Sequence, residues 1–179
     1  MNKISPRDLA VMAFCLVLGL FSKRIISPLT NTLTDFFRIP GGSAAVGLSM
    51  AFLIVGKQMT GAACAGTLMG FVQSLLAIAL GMSGYQGIMA VFSYTLPGVI
   101  IDLLAWKMRG QDLFFCFSAS ILSCMTSAVV SSLLVFHLRG ASLMLWLLLA
   151  GVSGMIGGYC AHMVSGRLRV LLKTGGMHS

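Results

Sequence analysis

An all-α fold, a polytopic bundle of six transmembrane helices with both termini cytoplasmic, is what three features of the sequence predict. The chain is 58% hydrophobic and only 9% charged, whereas a soluble domain carries about 25% charged residues to coat its surface. Its apolar residues gather into six runs, each parted from the next by glycine, proline or basic residues. Its 12 Lys and Arg residues fall unevenly on the two sets of breaks between those runs. All 179 residues form one membrane domain, because no polar stretch is long enough for a second module.

The first span is predicted over residues 9–26. Lys3 and Arg7 precede it as they would precede a signal peptide. The run ends in Ser22-Lys23-Arg24 rather than in a small-x-small cleavage site, so it reads as an uncleaved helix. Pro28 discourages further regular helix. The segment that follows is amphipathic, holds Asn31 and Asp35, and ends in the turn Pro40-Gly41-Gly42. The second span covers 42–55 and is closed by Gly56-Lys57-Gln58; the third covers 61–80 and is closed by Gly81-Met82-Ser83-Gly84. The fourth, 85–106, contains Pro97 and is followed by a basic loop with Lys107 and Arg109. The fifth covers 113–137, Arg139-Gly140 turns the chain, and the sixth covers 141–164.

Placing the N-terminus inside puts Lys3, Arg7, Lys57, Lys107, Arg109, Arg167, Arg169 and Lys173 on the inner side. It leaves Lys23, Arg24, Arg38 and Arg139 on the outer side. Eight of the 12 basic residues inside sets the orientation. The net charge of +8 is therefore a membrane-flank signal and gives no reason to expect nucleic acid. Three of the four outer charges lie between the first two spans. They either snorkel to the interface or form a loop that attracts an anionic ligand. The five cysteines lie inside apolar runs without C-x-x-C spacing and read as small buried hydrophobes.

Polar residues within apolar runs are costly against lipid and should point inward. Gln73, Tyr85, Gln86, Tyr94, His137 and Trp146 all fall in the outer half of the predicted bundle, with Asn31 and Asp35 above them as a lid. Aromatic walls with a few amide and hydroxyl groups are how small-molecule sites are built. The same residues could instead hold the helices to one another. Small residues at helical spacing, Ala62/Gly66/Gly70 and Ala150/Gly154/Gly158, mark close helix packing within the bundle or against another subunit. In the first span Ala10, Ala13, Cys15 and Gly19 form a second candidate docking surface. Asp102 is expected to pair with Lys107 or another inner basic residue, a proton-coupling role being the alternative.

No G-x-x-x-x-G-K loop is present, so the chain has no means of its own to use ATP. None of its four acids is predicted at mid-membrane, which weakens the case for an autonomous carrier. Gly81-Met82-Ser83-Gly84 with His162 imitates an intramembrane serine protease. His162 falls some 20 residues into a span that begins on Ser83's side, about 30 Å deeper, and a base must lie about 3 Å from its nucleophile. The chain is read as no enzyme, with neither cofactor nor metal.

The stretch from Ile39-Pro40-Gly41-Gly42 through Gly84-Tyr85-Gln86-Gly87 to Pro97-Gly98 and Asp102 resembles the substrate-binding (S) components of bacterial energy-coupling factor (ECF) transporters, and most of all their thiamin/hydroxymethylpyrimidine-type branch. The resemblance implies a multi-pass protein of the bacterial plasma membrane that binds a vitamin-like or heterocyclic small molecule in its outer half. It also implies partners: a transmembrane coupling subunit and two ATPase subunits. The first-helix Ala-x-x-x-Ala of many such proteins is altered here, where Phe14 follows Ala10 at that spacing. The Met-His start of the cobalt and nickel members is replaced by Met1-Asn2-Lys3, so a metal substrate is not expected. A self-sufficient carrier or channel and a non-transporting membrane scaffold are the other readings.

Overall fold

Met12, Cys15, Leu16, Gly19 and Leu20 recur every three or four residues, and that spacing buries one face of α1 (Pro6–Asp35). The computed structural model describes residues 5–35, 42–81, 84–108, 112–133 and 141–175, with side chains over 5–26, 46–81, 87–108, 113–133 and 143–170. Five further helices follow: α2 (Gly42–Thr60), α3 (Ala65–Ala79), α4 (Ala90–Lys107), α5 (Asp112–Ser131) and α6 (Ala141–Gly175). A short 3-10 segment, Gly84–Met89, leads into α4.

α2 lies at the centre and packs against all five other helices. Leu53 through Lys57 are buried without interruption, as a helix enclosed on every side requires. The others form an arc around it in the order α1, α3, α4, α5, α6. Close approaches show their directions. Position 19 of α1 meets Ser49 and Phe52 of α2, while Cys15 meets Gly56, so the two run antiparallel. Gly66 and Gly70 meet Asp102 and Tyr94, which makes α3 and α4 antiparallel. Gly154 and Gly158 meet Ile121 and Phe117, which does the same for α5 and α6. The helices thus alternate. α1, α3 and α5 end where α2, α4 and α6 begin; that end is called upper below, and the opposite end lower.

Among the described residues, four helices are long and apolar enough to cross a membrane: Pro6–Ile26, Gly87–Lys107, Leu113–Ser131 and Leu143–Val170. Val46–Thr60 and Ala65–Ala79 are apolar but shorter. The 15 residues of α3 reach only about 22 Å, against a hydrocarbon core of about 30 Å. Phe14, Phe21, Leu148 and Trp106 are all more than half exposed, a surface suited to lipid and not to water.

Three sequence expectations need correction. α1 does not stop before Pro28 but continues to Asp35, since a proline removes one backbone hydrogen bond and membrane helices tolerate that loss. Gly56-Lys57-Gln58 does not close the second helix, which runs on to Thr60 with Lys57 buried inside the bundle. The turn comes instead at Gly61, whose φ of 60° lies in the left-handed region that glycine enters without penalty. The sixth helix extends past 164 to Gly175.

Candidate functional site

At the upper end, α1, α3 and α4 meet around a small apolar cluster of Leu20, Ala77, Ala90 and Tyr94. Gly70 lets α3 close on α4: a Cβ there would lie 2.6 Å from the Tyr94 carbonyl oxygen. Gln73 is three residues farther up α3, about 4.5 Å along its axis, and is buried to 1% exposure. Its Nε2 has no hydrogen-bond partner. The hydroxyl of Thr95, beside Tyr94, is likewise buried without one. An amide in an apolar interior is stable only when its hydrogens are taken up. These two orphaned polar atoms lie on adjacent helices; Gln58 Oε1, Ser120 Oγ and His162 Nδ1 are likewise buried without a partner elsewhere in the bundle.

Lys23 reaches this corner from α1. Its ammonium donates a hydrogen bond to the Tyr94 hydroxyl and lies 4.4 Å from the centre of the Tyr94 ring. The ring face attracts the cation. Lys23 was expected only among the outer charges, snorkelling or steering a ligand. The buried stripe of α1 predicts more: Leu16, Gly19 and Leu20 continue at helical spacing onto position 23, while Arg24 is exposed.

Of the other residues singled out in the sequence, Trp146 is buried at 4% exposure on α6. It belongs to the main core cluster and not to the cluster that holds Tyr94. Ser93 and Ser131 are both buried and link α4 to α5, 3.4 Å apart. Asn31 and Asp35 lie on the last turns of α1, and Tyr85 and Gln86 on the segment leading into α4. The side chains of these four, and His137 altogether, lie outside the described residues. The candidate docking residues split between two faces. Ala10 and Ala13 are exposed, whereas Cys15 and Gly19 pack inward against α2. The Gly66/Gly70 and Gly154/Gly158 stripes also face helices of the same chain, α4 and α5.

A second polar cluster lies at the lower end. Asp102 accepts hydrogen bonds from Lys57 Nζ at 2.6 Å, from the Thr67 amide at 2.7 Å, from the Thr67 hydroxyl at 2.7 Å and from the Gly66 amide at 2.9 Å. The two amides belong to the first turn of α3, whose N-cap residue Cys64 makes no side-chain cap. Asp102 thus caps α3 from the neighbouring helix. Lys57 also donates to the carbonyls of Ala62 and Ala63, both at 2.7 Å. The pair fastens the end of α2, the α2–α3 turn, the start of α3 and the end of α4. Asp102 pairs with a basic residue as expected, with Lys57 rather than Lys107.

Toward this lower end of α6 sits His162, one turn past Gly158. Gly81 begins the turn at the upper end, and Ser83 lies outside the described residues. Among the described residues no cluster of His, Cys and Asp side chains is placed to hold a metal ion. The chain matches no known family profile, no curated protein and no solved structure.

Proposed function

We propose that the chain is the membrane-embedded substrate-capture subunit of an ECF-type importer in a bacterial plasma membrane. It takes a small vitamin-like or heterocyclic nutrient into an outward-facing pocket at the upper end of the bundle. The observation that carries this reading is Gln73 on α3, fully buried with its amide nitrogen unpartnered, together with the buried, unpartnered Thr95 hydroxyl on α4, the helix against which α3 packs. A residue that only glued helices together would have its hydrogens satisfied by a neighbouring helix.

In this reading the four long helices and the shorter α2 and α3 together make six crossings. The basic flanks put the lower end, with both termini, in the cytoplasm. The chain carries no nucleotide-binding loop, and its one acid among the described helix cores, Asp102, is committed to Lys57 and the first turn of α3. A separate coupling subunit and two ATPases would therefore supply the energy. The exposed stripe Ala10, Ala13 and Val17 of α1 is the surface offered to the coupling subunit.

The test is transport by the chain alone. Reconstituted into liposomes without partners, it should bind its nutrient and not accumulate it, with or without ATP. Uphill uptake by the isolated chain would refute capture and favour a self-sufficient carrier.

A further inference from the structure

We infer that the captured molecule is an anion, and that Lys23 binds its carboxylate or phosphate group. This rests on the capture reading and names the chemistry of the same site. Lys23 is partly buried at the upper corner of the bundle, where an opposite charge would stabilise its ammonium further. The chain has four acidic residues, and none can supply it. Asp35 is twelve residues farther along α1, about 18 Å away. Asp8 is fifteen residues back along the same helix, about 22 Å away. Asp102 is bound to Lys57 at the lower end, and Asp112 opens α5 at that end too. What faces Lys23 is the ring and hydroxyl of Tyr94.

The other groups at this corner point to the same chemistry. The Tyr94 hydroxyl accepts from Lys23, which leaves its own hydrogen free to be given onward. Gln73 offers unpartnered amide hydrogens, and Thr95 an unpartnered hydroxyl. α1, α3 and α4 therefore carry between them a cation, an amide donor and two hydroxyls, and none of the four acidic side chains lies near Lys23. Such a set selects an acceptor-rich anion and repels a permanently cationic ring. A lipid phosphate has the same charge chemistry. We assign the position to a water-soluble ligand because Lys23 continues the inward stripe of α1, whereas Arg24 faces outward.

Full-length protein would be purified beside Lys23→Gln, Lys23→Arg and Gln73→Ala variants of equal helicity. Each would be extracted into aqueous and organic phases, and the retained compounds identified by mass spectrometry. The inference expects an aqueous compound bearing a carboxylate or phosphate. Lys23→Gln should retain about tenfold less of it or lower still, and Lys23→Arg close to the wild-type amount. A neutral or cationic aqueous compound, or an anion held equally well by Lys23→Gln, overturns the inference and leaves capture standing. An anionic lipid lost with Lys23→Gln and no aqueous compound overturns the inference in favour of a lipid site. If wild type retains nothing, pyridine-3-carboxylate and its neutral amide serve as thermal-shift probes. Stabilisation by the acid over the amide, absent in Lys23→Gln, supports the inference. No stabilisation by the acid counts against the inference and against capture.

Discussion

Gln73 and Asp102 are both polar side chains in apolar helices, and their surroundings differ. Asp102 accepts four hydrogen bonds and faces a lysine, whereas the Gln73 amide nitrogen has no partner. Removing Asp102 strands the buried Lys57 charge and uncaps α3, so Asp102→Ala should destabilise the protein by about 3–5 kcal/mol. The double change Lys57→Met/Asp102→Leu should recover only the part of that loss due to the stranded charge, since α3 stays uncapped. Thermal unfolding in detergent measures both. Gln73→Leu should leave the ligand-free protein as stable as wild type or raise its stability by about 1–3 kcal/mol, since an unmet donor is removed. A clear fall in stability would mean that Gln73 is structural. The inward placement of Gln73 was legible in the sequence, because an amide in an apolar run stands out on its own. The sequence did not mark the Lys57–Asp102 pair, whose members lie 45 positions apart on different helices. Lys57 read as a helix end because a lysine outside water usually is one.

Glycine contacts divide the helices into faces that tolerate a side chain and faces that do not. A Cβ on Gly98 would overlap the Gly66 carbonyl oxygen, which is backbone and cannot turn aside. One on Gly151 meets nothing within 4 Å. Gly98→Ala should therefore cost about 1–3 kcal/mol through overpacking and separate α3 from α4. Gly151→Ala should add about 0.5–1 kcal/mol through helix propensity. Melting temperatures of the two variants, compared in the same detergent, check the contrast; equal effects would contradict the close α3–α4 contact. The small-residue stripes were legible as packing faces, but which neighbour each one met was not, because spacing carries no information about the partner helix. Pro28 illustrates the converse. It reads locally as a stop, and α1 nonetheless continues for seven more residues to Asp35. The missing amide removes a single bond from a helix held by packing along its buried face.

At the scale of the whole molecule, composition alone made the membrane-helical class legible, while the order of packing around α2 was not, since it depends on contacts between helices distant in sequence. Orientation rests on the basic flanks and has a direct readout. Cys64 is exposed at the lower end, in the turn between α2 and α3. An impermeant thiol reagent should label it only in opened cells, while Asn31→Cys, in a chain otherwise free of cysteine, should label in intact ones. The reverse pattern would place the Gln73 corner on the cytoplasmic side. The central claim, that the upper corner of α1, α3 and α4 binds a small molecule, is tested most directly by isothermal titration of the purified chain with the aqueous compound it retains. Wild type should bind one molecule per chain. Gln73→Ala should weaken that affinity about 5- to 150-fold, the equivalent of one buried hydrogen bond at about 1–3 kcal/mol. Wild-type affinity in both Gln73→Ala and Tyr94→Ala, with the fold intact, would contradict the account and leave these residues as contacts between helices.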